Sequence, residues 1–85
     1  MERIRVYTEN TPTIRDLVAQ YLEGATVYSG SGLWKGQWEQ SLIVEVIAFT
    51  ESTQQAVNNL VQAIKTIGKQ EAVLITREPI TAALV

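Results

Sequence analysis

Polar and apolar residues alternate from Arg3 to Tyr7, with Ile4 and Val6 on one side and Arg3, Arg5 and Tyr7 on the other, which predicts a half-buried strand. Thr11-Pro12 then places a capping residue before a proline at the first helical position, and Ile14, Leu17, Val18, Tyr21 and Leu22 recur at helical spacing until Gly24. Between Ala25 and Phe49 the period returns to two. A two-residue turn at Lys35-Gly36 pairs Val27 with Val44 and Ala25 with Val46 on one face, and Tyr28 with Ile43 and Thr26 with Glu45 on the other. A second helical stripe, Val57, Leu60, Val61 and Ile64, starts at Ser52, where Gln55 completes a capping box, or at Thr50, and ends near Gly68. Gln70 to Arg77, carrying Ala72, Val73, Leu74 and Ile75, predicts a final strand of the buried type, which Pro79 stops before the apolar tail Ile80 to Val85.

The resulting order, β-α-β-β-α-β, predicts a single α+β domain over residues 1–85 with a ferredoxin-like fold, a long central hairpin and an antiparallel sheet with both helices on one face. Each hairpin arm runs about ten residues, roughly 33 Å at strand rise, whereas a helix of about twelve residues covers roughly 18 Å. The tip, with Leu33, Trp34 and Trp38, therefore overhangs the domain. The sheet face without helices is expected to carry Arg3, Arg5, Tyr7, Thr26, Tyr28, Ile43, Glu45, Ile47 and Phe49, too apolar in its middle for water and too charged at one edge for a simple core. A partner subunit is the economical cover. Glu45, isolated among Leu42 to Phe49, is expected to meet Arg3 or Arg5 across the sheet.

Composition changes this picture in two ways. A domain of 85 residues buries a modest fraction of its chain surface, and with no cysteine and no histidine it has neither a disulfide nor a zinc site to staple it, so oligomerisation is the remaining support. The same absences exclude Cys–His and Ser–His nucleophilic chemistry and leave carboxylates, Lys, Arg, Tyr and backbone amides as the available catalytic groups. Seven basic and nine acidic residues give a net charge of −2 without clustering, which argues against nucleic acid as a partner. The charged N-terminus MERIRVYTEN is unlike a signal peptide and no run approaches the roughly 18 apolar residues of a membrane span, so the expectation is a cytoplasmic protein without membrane contact.

Trp34-Lys35-Gly36 at a hairpin turn, Glu39 just after it, the strand Leu42 to Ala48, a helix, and then a strand reaching Pro79-Ile80 are similar in order and spacing to the copper-tolerance CutA proteins. More distantly the chain resembles the PII-type signalling proteins. The resemblance spans residues 25–80. It implies a trimer whose sheets face an internal channel, whose hairpins reach onto neighbours, and whose intersubunit clefts hold small ligands or metal ions. CutA proteins usually carry a cysteine after the first helix and a histidine before the last strand, where this chain reads Gly24-Ala25-Thr26-Val27 and Thr66-Ile67-Gly68-Lys69, so soft-ligand metal binding is not implied. The segment Gly30 to Gly36 also lacks the longer loop of PII-type proteins, and nucleotide sensing is not carried over residue by residue.

Several residues have both a functional and a structural reading. Gly30-Ser31-Gly32 with Lys35-Gly36 could cradle a phosphate, but the P-loop spacing is missing and no helix follows; the plainer reading is room for a neighbour's side chain. Trp34 and Trp38 fall on opposite faces of the ribbon and are candidates for a stacked ligand or, preferably, for an intersubunit anchor. Lys35 with Glu39 reads as solvated charge. Arg77, expected after the last strand, is the best single candidate for an anionic ligand or an intersubunit salt bridge. The site expectation is therefore ligand contact by Arg77, Lys35 and Trp34, an interface through Trp34, Trp38, Tyr28, Ile43, Glu45 and Arg5, and no catalytic residue, metal or cofactor. The functional expectation is a homo-oligomer, a trimer by resemblance, binding a small anionic ligand or a protein partner between subunits without catalysis. The alternative is a dimeric ferredoxin-like enzyme holding a small hydrophobic substrate against the bare sheet face, with Tyr7, Tyr28, Glu45 and Arg5 as its polar groups.

Overall fold

The computed structural model, which describes residues 1–85, carries six elements: β1 (Glu2–Glu9), α1 (Pro12–Tyr21), β2 (Thr26–Trp34), β3 (Gln37–Ala48), α2 (Glu51–Thr66) and β4 (Leu74–Pro79). The strands form one antiparallel sheet in the order β2-β3-β1-β4. This is the ferredoxin-like α+β arrangement that the hydrophobic pattern predicts.

Each element starts where local chemistry starts it. Thr11 accepts a hydrogen bond from the Ile14 amide and Pro12 occupies the first helical position, so α1 begins with one orphan donor satisfied and another absent by construction. α2 is capped by Thr50, whose hydroxyl accepts from the Thr53 amide. Of the two candidate caps the structure selects Thr50, and Ser52 lies inside the first turn with its hydroxyl 3.1 Å from that of Thr50.

Ile4 and Val6 of β1 and Leu42, Val44, Val46 and Ala48 of β3 point to the helices, where they meet Ile14, Leu17 and Val18 of α1 and Val57, Leu60, Val61, Ala63 and Ile64 of α2. At roughly 1.5–3 kcal/mol for each large side chain fully removed from water, this one-sided core is the main source of stability in the single chain. The hairpin register matches the expected pairs Val27–Val44, Tyr28–Ile43 and Thr26–Glu45; the ladder begins at Thr26, so Ala25 is unpaired. Lys35 and Gly36 turn the chain with φ of 49° and 77°, a conformation that admits glycine freely and twists in the same sense as the strands. Twelve residues of β3 at strand rise span roughly 40 Å, the same as the long axis of the 40 × 22 × 19 Å molecule. The overhang of the hairpin is thus the shape of the protein.

The last strand departs from expectation. It runs from Leu74 to Pro79 rather than from Gln70 to Arg77, and it is an exposed edge, not a buried strand. Lys69 adopts φ 56°, and residues 70–73 complete the reversal from α2, so Ala72 and Val73 are spent on the connection. With β1 as its one neighbour, β4 contributes only Ile75, partly buried, to the core from within the strand. Pro79 does not stop the pairing: it lies opposite Glu2, and Ile80 still donates to the Met1 carbonyl at 3.2 Å. A proline is tolerated there because an edge strand has a side that needs no donor.

Candidate functional site

The helix-free side of the sheet is built from the odd positions of β1 and β3 and the even positions of β2 and β4, and the ladders arrange these residues in rows. Glu78, Arg3 and Ile47 form one row, Thr76, Arg5, Glu45 and Thr26 the next, and Leu74, Tyr7, Ile43 and Tyr28 a third. Beyond them the hairpin continues alone, with Gly30 opposite Ser41, Gly32 opposite Glu39, and Trp34 opposite Gln37 at the tip.

The charged rows neutralise themselves. Arg5 Nε donates to Glu45 Oε1 at 2.8 Å, and Arg3 Nη1 and Arg5 Nη1 both donate to Glu78 Oε1, at 3.0 and 3.4 Å. Arg3 Nε lies 4.0 Å from Glu45 Oε1, beyond hydrogen-bond range, and has no other partner. The hydrogen bond to Glu45 is the chief reason that the Arg5 guanidinium titrates above its ordinary value, with burial opposing and Tyr28 assisting. Two cations and two carboxylates thus balance one another, with Arg3 Nε left without a hydrogen-bond partner. The pairing of Glu45 follows the expectation; Glu78 joins the network because β4 extends to Pro79 and so carries Glu78 onto the sheet opposite Arg3. Each of these side chains keeps a quarter to a half of its surface, so the pairs are screened by solvent. Glu45→Gln is expected to melt below the parent at low salt and to converge on it in about 1 M salt, where the Debye length shrinks to roughly 3 Å. Circular dichroism melts at the two salt concentrations check this, and a variant that melts like the parent at both while losing an activity would assign the carboxylate to chemistry.

The apolar part is unevenly covered. Ile43 retains 9% of its surface, because it sits between Tyr7 and Tyr28 and leans toward Gly30, where an added Cβ would meet its Cδ1 at 3.4 Å. It is therefore largely buried before any partner arrives. Tyr28, Leu74 and Phe49 remain exposed. At the tip Trp34 is 55% and Trp38 72% exposed, on opposite faces, with Trp38 facing Leu33 on the helix side beyond the reach of α1. The Lys35 ammonium lies 5.6 Å from the centre of the Trp34 ring, close enough for a cation–π contact. Lys35 and Trp34, expected as ligand contacts, are thus adjacent, and Glu39 lies apart from them over Gly32.

Of the two other sequence candidates, only Arg77 changes position. Gly30 and Gly32 are paired strand residues, so their amides run along a ladder and do not converge on a phosphate. Arg77 lies inside β4, not after it, on the helix side of the sheet. Its guanidinium donates to Asn58 Oδ1 of α2 at 3.3 Å and stands 3.8 Å from Glu2, so it braces α2 against the sheet edge, away from Trp34 and Lys35. A shallow groove of about 260 Å³, absent from the sequence reading, lies between the end of α1 and the start of the hairpin, lined by Val18, Leu22, Val27 and Leu42 with Arg15 and Glu23. A helix stripe and a strand alternation mark these residues as apolar but do not say that they fail to close on each other. No three His, Cys, Asp or Glu side chains converge as metal ligands would, and no helix is long and apolar enough to cross a membrane.

The sequence matches no protein-family model and no curated protein. Solved structures do share the fold. A phage SAM lyase in complex with S-methyl-5'-thioadenosine superposes with a TM-score of 0.69 at 19% identity, over 91% of this chain and 79% of that one. A DUF3240 family protein from Shewanella baltica OS155 gives 0.64 at 18% identity, over 99% and 94%. CPII, a nitrogen regulatory PII-like protein from Thiomonas intermedia K12 bound to ADP, AMP and bicarbonate, gives 0.62 at 13% identity, over 99% and 93%. The chain therefore has the ferredoxin-like fold of PII-like proteins, at a sequence identity that speaks for the fold alone.

Proposed function

We propose that this chain is the protomer of a cytoplasmic homo-oligomer, a trimer, that binds a small ligand or a protein partner between its subunits and performs no catalysis. The observation that carries this reading is the hairpin: a two-stranded ribbon standing clear of the core with Leu33, Trp34 and Trp38 in water, continuous with a sheet face on which Tyr28 and Leu74 are also uncovered. Exposed aromatic residues at such density belong to surfaces that meet another molecule. The charges of Arg3, Arg5, Glu45 and Glu78 balance within one chain, so that face can be enclosed without stranding a net charge. The CPII and SAM lyase structures hold ligands that share an adenosine group, which makes adenine nucleotides the first ligand class to try. Sedimentation at micromolar concentration, followed by titration with ADP and AMP, tests the proposal. Three copies and saturable binding are the expected result. A stable folded monomer would overturn it.

A second reading, a dimeric enzyme, draws on the SAM lyase likeness and on the grouping of Tyr7, Tyr28, Arg5 and Glu45 on one sheet face. Two copies in solution and release of S-methyl-5'-thioadenosine from SAM would favour it over the first.

A further inference from the structure

The groove between the end of α1 and the start of the hairpin is apolar along its length and charged at its ends. Its floor is Leu42 and Val27, and Val27 is 38% exposed although Val44, its partner in the ladder, is fully buried. Apolar surface thus continues past the part of the sheet on which the core closes. Arg15, Val18, Ala19 and Leu22 follow one another at helical spacing and share one face of α1 and its cap. The guanidinium therefore stands at the head of an apolar strip and Glu23 at its foot, roughly 12 Å away at helix rise.

Arg15 is held in place and left without an anion. Of the four arginines in the chain, Arg3, Arg5 and Arg77 each stand within 4.0 Å of a carboxylate and Arg15 does not. Its Nε donates to Asn10 Oδ1 at 2.9 Å. Asn10 is fixed in turn by a side-chain donation to Ser29 Oγ at 3.0 Å and a main-chain donation to the Gln40 carbonyl at 3.1 Å. Both Nη groups keep their donors, in the fork that meets a carboxylate through two parallel hydrogen bonds. Helix stability does not account for the residue, because at the fourth position of α1 a cation opposes the macrodipole.

We propose that this groove binds a small monocarboxylic acid with a branched or aromatic apolar body, its carboxylate on the Arg15 fork and its body on Val18, Leu22, Val27 and Leu42. The inference goes beyond the function proposed above: every group it names belongs to one subunit, and none lies at the ribbon tip or on the helix-free face. Size selects a small body, since pockets for drug-sized ligands measure about 300–1,000 Å³ and this groove about 260 Å³. Charge selects a single carboxylate. A second one would come to rest on apolar side chains or beside Glu23, so dicarboxylic acids are rejected.

The test is a titration of the full chain with isocaproate, followed by amide shifts in heteronuclear NMR spectra, beside Arg15→Gln and Ala19→Phe variants. Isocaproamide, which lacks the charge, and α-methylglutarate, in which a carboxylate replaces one terminal methyl, are the control ligands. Both substituted residues are exposed, and unchanged resonances of β1 and β3 report that the fold is kept. The expected result is saturable shifts at the amides of Val18, Leu22 and Val27, with a dissociation constant on the order of 1 mM. Affinity falls about tenfold or more for either control ligand and in Arg15→Gln. Ala19→Phe fills the groove with a ring and abolishes the shifts while leaving the guanidinium in place. Equal affinity for acid and amide, or equal binding by Arg15→Gln, would overturn the carboxylate pairing. Shifts confined to Trp34 and Lys35, or no saturation below about 10 mM, would overturn the site. Sedimentation reads the number of copies separately, so a monomer that binds the acid in this groove would overturn the oligomer alone.

Discussion

Trp38→Ala is expected to weaken self-assembly by about 2 kcal/mol or more, roughly 30-fold in the dissociation constant, and Trp34→Ala by a similar amount. Each indole projects from a ribbon that has no core beneath it, and Trp38 keeps 72% of its surface in the single chain. Truncation therefore removes little from the fold of one subunit, and the lost area must appear where the ribbon meets its partner. A concentration series by analytical ultracentrifugation reads the assembly term, and a thermal melt at high dilution reads the fold term. Unchanged assembly together with a lost ligand would assign the indole to stacking on that ligand.

Gly68→Ala is expected to destabilise the subunit itself by about 3 kcal/mol, the upper part of the range for overpacking. A Cβ at residue 68 would lie 2.5 Å from the Ile64 carbonyl oxygen and 2.6 Å from Ile14 Cδ1. Neither neighbour can yield easily: one is helix backbone, and the other is the tip of a buried side chain that ties α1 to α2. The opposing gain, fewer conformations for an alanine in the unfolded chain, is about 0.4–1 kcal/mol and loses to the clash. For a domain of this size the penalty corresponds to a fall in melting temperature on the order of 15 °C. A denaturant titration that places the variant within 0.5 kcal/mol of the parent, about the scatter of a neutral surface change, would show that the α2 terminus can move aside.

These two residues show different limits of reading a sequence. Trp38 is legible: two tryptophans beside a turn, in a hairpin longer than either helix, announce an exposed ribbon from strand rise and helix rise alone. Gly68 is not, since a glycine after a helical stripe reads as a helix terminator whether or not a buried isoleucine presses against it. The misplacement of β4 has the same origin. Ala72, Val73, Leu74 and Ile75 form an apolar run, and a run of four cannot say which of its members turn the chain and which join the sheet. Because β4 ends at Pro79, two residues later than expected, Glu78 lies on the sheet within the charge network and Arg77 lies inside the strand against α2.

The hydrophobic periods by themselves determined the order of strands and helices, the hairpin register about Lys35-Gly36, and the division of β1 and β3 into a helix-facing and a bare side, because these properties depend on spacing along one element. They also made Glu45 the carboxylate that needs an arginine. Which arginine, at what distance, and with Glu78 as second acceptor, was decided by the sheet order β2-β3-β1-β4 and the final register of β4. The same holds for the burial of Ile43 between two tyrosines and for the groove left open between α1 and the hairpin. Pattern along a chain encodes which side of an element avoids water; what that side meets is set by the packing of elements distant in sequence.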